Sequence, residues 1–125
     1  MIEQMTDLPA GVVGFIAHGE VTADDYEQVI VPDLEAVFSL RDKVRLLYCF
    51  ADDFTGFETR AMWDDAKLGM RHFSGFERVA IVGDVGWLNR TIPTISALFP
   101  GEFRSFQGTQ LQEARSWLLQ DFDAD

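Results

Sequence analysis

The stretch KVRLLYCF, residues 43–50, is a nearly unbroken apolar run of strand length. A central strand covered on both faces requires such a run, because neither row of its side chains meets water. A sheet built on it needs layers above and below, and the flanking sequence supplies them as helices. The loop ADDFTG (51–56) leads into a helix predicted from about Phe57 to Phe73, RVAIVG (78–83) is the next strand, and VGWLNRTIPTISALF (85–99) is a helix containing Pro93. A short strand, EFRSF (102–106), and a final helix, QLQEARSWLLQDF (110–122), complete the series. Strands that alternate with helices long enough to cross back over the sheet define an α/β domain with mostly parallel pairing.

The N-terminal part departs from that alternation. Residues 1–5 read as a short edge strand, DLPAG (7–11) as a turn, and VVGFIAHG (12–19) as the second strand of a hairpin. The expected sheet is therefore mostly parallel, with an antiparallel N-terminal edge strand and helices on both faces. In VTADDYEQVIVPDLEAVFSL (21–40), Thr22 is a good N-cap, Asp24 and Asp25 favour the helix dipole, and Tyr26, Ile30, Leu34 and Val37 recur at helical spacing. Pro32 removes a backbone donor in mid-helix, so a kink or restart is expected there.

No repeat or linker divides the 125 residues, and the whole chain, 1–125, is expected to form a single domain. With 21 acidic against 10 basic residues the net charge is −11, and no segment gathers Lys and Arg on one face. Nucleic acid is thereby excluded as a partner, since its binding depends on neutralising phosphates. Anionic lipid is repelled as well, and any membrane contact would be peripheral, through inserted apolar side chains. The single cysteine, Cys49, fits a reducing compartment, no run resembles a signal peptide or spanning segment, and a cytoplasmic location is expected.

The helix from Phe57 to Phe73 is expected to turn Met62, Ala66, Gly69, Met70 and Phe73 towards the core, and Arg60, Asp64, Lys67 and Arg71 towards water. Phe57, Ala61 and Leu68 fall on neither stripe, and Trp63 lies at the margin of the first. In the helix 85–99, Leu88, Ile92, Ile95 and Phe99 form a stripe, with Trp87 at its beginning. An apolar pocket between the two helices, bounded by Trp63, Met70, Trp87, Leu88 and Ile92, is the leading candidate site, although such side chains also serve as ordinary core. Its ligand would be an apolar small molecule or a lipid.

Catalytic and metal chemistry find little footing. His18, His72 and Cys49 have no sequence-evident partners, so no catalytic set is predicted. The carboxylates Asp52, Asp53, Glu58, Asp64 and Asp65 lack the alternation of a calcium loop, GDVG (83–86) is too short for a nucleotide fingerprint, and neither a metal nor a cofactor is expected. A non-enzymatic binding module is the resulting expectation.

The segments GEVTADDYEQVIVPDLE, KVRLLYCFADDFTGFE, AMWDDAKLGMRHFSGFERVAIVGDVGWL and FPGEFRSF resemble the bacterial SpoIIAA-like proteins, relatives in fold of the STAS domains, over about residues 12–119. That resemblance implies a βα superhelix, a shape shared with the CRAL-TRIO lipid-binding domains. It also implies two functions by analogy: an apolar ligand, or a protein partner of the anti-sigma factor antagonist type. In STAS antagonists a serine is phosphorylated in an Asp-Ser-Ser-Gly loop, which here corresponds to Asp53, Phe54, Thr55 and Gly56. Thr55 keeps a hydroxyl at the acceptor position, but Phe54 replaces the other serine and Asp52 precedes the motif. Asp53, Thr55 and Gly56 thus form a candidate switch loop. Their plainer use is a helix cap, from Thr55 or Asp53, and a permissive turn at Gly56. Neither reading sets the oligomeric state, and a homodimer is among the open assemblies.

Overall fold

The computed structural model describes residues 1–122. Ile2–Met5 (β1) pairs antiparallel with Val12–Ala17 (β2), and β2, Val44–Phe50 (β4), Phe76–Val82 (β6) and Glu102–Phe106 (β7) follow in parallel. The order across this sheet is β1-β2-β4-β6-β7. The apolar run 43–50 is thus the middle strand, buried along its whole length.

The first helix, α1, consists of three consecutive segments: Ala23–Asp25, a π-helical turn at Tyr26–Ile30, and Val31–Phe38. Thr22 caps it in a reciprocal capping box with Asp25. The widened turn lies immediately before Pro32, where the missing N–H breaks the regular ladder and a new α segment begins. Thr59–Arg71 (α2), Gly86–Leu98 (α3) and Leu111–Leu119 (α4) complete the helices. Helix α3 runs through Pro93 without a break.

The two faces of the sheet have different partners. Val44, Leu46, Tyr48 and Phe50 point to the side of α1, α2 and α3, whereas Leu47 and Cys49 point to α4 and pack with Ala114 and Leu118. Helices therefore cover both faces, three on one and one on the other.

A second, two-stranded sheet was not expected. Glu20–Val21 (β3) and Gly56–Phe57 (β5) pair in parallel and clasp the start of α1 to the loop after β4. Two-residue strands carry no periodicity, so this pairing leaves no signal in the sequence. It also corrects the predicted helix start. Helix α2 begins at Thr59, its N-cap position is Glu58, and neither Asp53 nor Thr55 caps it. Glu58 instead accepts the backbone N–H of Ala23 at 3.1 Å, so its carboxylate serves the first turn of α1.

Candidate functional site

Helix α2 is turned by about one residue from the expected orientation. Its buried positions are Ala61 and Leu68, while Met62, Trp63, Met70 and Phe73 are exposed. The cause lies in what the helix packs on: α2 leans on α1, where Ala23 and Ala61 are both buried small residues, rather than lying down on the sheet. Of the expected water-facing charges, Arg60 and Arg71 reach across to Glu27 and Glu35 of α1, and Asp64 is largely buried with one oxygen unpaired. Helix α3 packs mainly on β7.

With α2 and α3 held by different elements, the space between them and the sheet stays unfilled. The result is an apolar cavity of about 470 Å³. Its floor is Phe15 of β2, Leu46, Tyr48 and Phe50 of β4, and Val79 and Ile81 of β6. Met62, Ala66, Gly69 and Met70 of α2 form one wall, and Trp87, Leu88, Thr91, Ile92 and Ile95 of α3 the other, with Tyr26, Ile30 and Leu34 of α1 closing the rear. Met62, Met70 and Trp87 line the cavity and are also exposed, which places them at its mouth.

Four of the five predicted wall residues, Met70, Trp87, Leu88 and Ile92, line this space. Trp63 does not: it is 66% exposed and lies outside the lining. The stripe expected to be core thus borders a void, and the floor from three strands went unnoticed because its members are distant in sequence.

One wall residue is charged, and it was not anticipated. Asp65 faces the cavity and accepts a hydrogen bond from the Tyr26 hydroxyl at 2.8 Å. The Tyr26 and Tyr48 hydroxyls are 3.1 Å apart, and since Tyr26 gives its proton to Asp65, Tyr48 donates to Tyr26. Burial raises the Asp65 carboxyl above its ordinary range against the opposing effect of the Tyr26 bond. Burial likewise raises both tyrosines, which stay neutral donors. Among the other lining side chains there is no Lys, Arg, His, Asp or Glu.

The loop between β4 and β5 adjoins this site. Phe54 packs edge-on against Phe50 and Phe57, with ring centroids at 4.7 and 5.3 Å, and Phe57 meets Trp87 at 6.2 Å. Phe54 therefore works as an apolar anchor. Asp52, Asp53 and Thr55 are exposed, and Gly56 adopts φ 145°, a backbone state that favours glycine. His18 bridges Asp53 at 3.2 Å and Glu3 at 3.0 Å, and its pKa is raised chiefly by the bond to Glu3. His72, also without a sequence-evident partner, binds Glu35 and stacks on Phe38. The Cys49 thiol is pushed up to about 11 by burial, which leaves it protonated at neutral pH.

A family model described as SpoIIAA-like matches residues 12–119. The chain belongs to the SpoIIAA-like family. A crystal structure of an uncharacterized protein from the DUF3478 family with a SpoIIAA-like fold, from Shewanella loihica PV-4, is similar to it at 30% identity and a TM-score of 0.76, covering 94% of this chain and 92% of the other. No curated protein matches the sequence. In this SpoIIAA-like, STAS-type module the loop 51–58 keeps Phe54 half-buried and Thr55 exposed. No helix among the described residues is long and apolar enough to cross a membrane.

Proposed function

We propose that this SpoIIAA-like domain is a non-enzymatic cytoplasmic module that holds an apolar small molecule or lipid between α2 and α3. The observation that carries this reading is the cavity itself: about 470 Å³, within the usual range of ligand sites, lined almost wholly by apolar side chains and bordered by exposed Met62, Met70 and Trp87. A void of that size forfeits dispersion contacts along its walls, a cost that a ligand would offset. Exposed apolar residues at the mouth would also permit peripheral contact with a membrane during loading. Native mass spectrometry before and after organic extraction should reveal a co-purified small molecule, and decan-1-ol should shift the tryptophan emission of extracted protein. Absence of both effects would end this reading.

A second reading follows from family membership: a STAS-type regulatory module that docks a protein partner through the loop 51–58. The exposure of Asp52, Asp53 and Thr55 around the positive-φ turn at Gly56 favours it. A partner captured stoichiometrically from the source cell should be lost with Thr55→Ala or Gly56→Ala. Undiminished capture by both variants would rule the loop out as the docking surface.

A further inference from the structure

The cavity has one charged side chain among the described residues, and its chemistry restricts what can sit there. On α2, Ala61, Asp65 and Leu68 succeed one another at helical spacing, so the acidic residue occupies the inward face between two buried apolar ones. Protein atoms crowd the Asp65 carboxyl, yet the residue is exposed by its accessible surface, and its side chain lines the cavity. One carboxylate oxygen, Oδ1, is engaged by Tyr26, whereas Oδ2 has no hydrogen bond from any described residue. A carboxylate so placed costs free energy unless a donor reaches it.

Resting on the binding function proposed above, we propose that Asp65 receives the head group of the ligand, and that this head is a hydrogen-bond donor, best a protonated amine, attached to an apolar body. Among the described residues no cationic side chain lines the cavity, so the head of a carboxylate or phosphate ligand would meet Asp65 with nothing to neutralise it. The protein's charge of −11 opposes anions at longer range too. An ammonium head would complete the pairing that Oδ2 lacks. Tyr26, already held by Tyr48, keeps the carboxylate fixed for that contact. Burial raises the Asp65 carboxyl, and a cation beside it would oppose that shift by favouring the charged form.

The test uses three probes of equal chain length, decylamine, decan-1-ol and decanoate, titrated against extracted full-length protein by tryptophan emission at physiological salt. Decylamine should bind about tenfold or more tighter than decanoate, as a charge-assisted hydrogen bond in a dry site allows. Asp65→Asn, which keeps the shape and changes only one charge of the whole protein, should reduce that ratio to near unity while decan-1-ol still binds. Decanoate binding as well as decylamine in the native protein, or an unchanged ratio in Asp65→Asn, overturns the head-group assignment and leaves the cavity reading intact. Failure of all three probes to bind the native protein overturns both. The native ratio is decisive even if the variant folds poorly.

Discussion

Arg45→Met is expected to lower the stability of the domain by about 3 kcal/mol, the cost of breaking a buried, hydrogen-bonded charge site, discounted for a partner that retains access to water. Arg45 is the one charged residue inside the central apolar strand, and it is only 6% exposed. Its Nε donates to Glu77 at 2.6 Å, and one terminal nitrogen donates to the backbone carbonyls of Leu118 and Gln120 at 2.7 and 2.8 Å. Those carbonyls belong to the end of α4, where a helix has no backbone donors of its own. Arg78, the register partner of Arg45 on β6, donates to the neighbouring carbonyl of Trp117. Two arginines thus secure the helix that alone covers this face of the sheet. Methionine fills the volume but supplies no donor. In urea the midpoint should fall by about 1.5 M at a slope near 2 kcal/mol per molar, and amides of α4 should lose hydrogen-exchange protection first. Arg78→Met should do less, because Arg78 is less deeply buried. A loss no larger than that from Arg115→Ala, which breaks a surface pair with Asp7, would show that Arg45 does not hold the helix.

The fold was legible because its signals are long-range in period and redundant. The run 43–50 allowed only a doubly covered strand, the antiparallel start was readable from two strands around a Pro and Gly turn, and Pro32 marked the irregular turn of α1. Shorter features left no such trace. The β3–β5 pair spans two residues on each side, and the cap at Glu58 follows from that pairing rather than from any preference of Glu for the position.

The site was half legible, for a specific physical reason. Periodicity assigns the buried face of a helix to its most apolar stripe, and on α2 that stripe contains Met62, Ala66, Gly69 and Met70. The face that turns inward contains Asp65, and an acid there counts against burial in any reading that assumes a filled core. Packing on α1 through Ala61 overrode the stripe. The misfit between apolar period and true orientation is itself informative: a helix that turns an acid towards a cavity and leaves its methionines at the rim is serving that cavity as well as a core.

Gly69→Leu should have two effects of opposite sign. Gly69 lies within α2 and lines the cavity, and a Cβ built there would meet only Phe99, at an ordinary 3.7 Å. Leucine in place of glycine favours the helix by about 0.8 kcal/mol, and its side chain buries apolar area in space that is otherwise empty, so a total gain of about 1–2 kcal/mol is expected. The same side chain removes room from the ligand. Affinity for decan-1-ol should fall about tenfold or more, since displaced apolar contacts of a few methylenes are worth that much. The combination is diagnostic. Overpacking a filled core lowers stability by about 1–3 kcal/mol, so a Gly69→Leu domain less stable than the native one would mean that α2 and α3 close together in solution and leave no site. A gain in the urea midpoint without loss of decan-1-ol binding would place the ligand elsewhere. Only a more stable protein that binds less is consistent with a cavity kept open for an occupant, at the expense of a helix glycine and an unfilled interior.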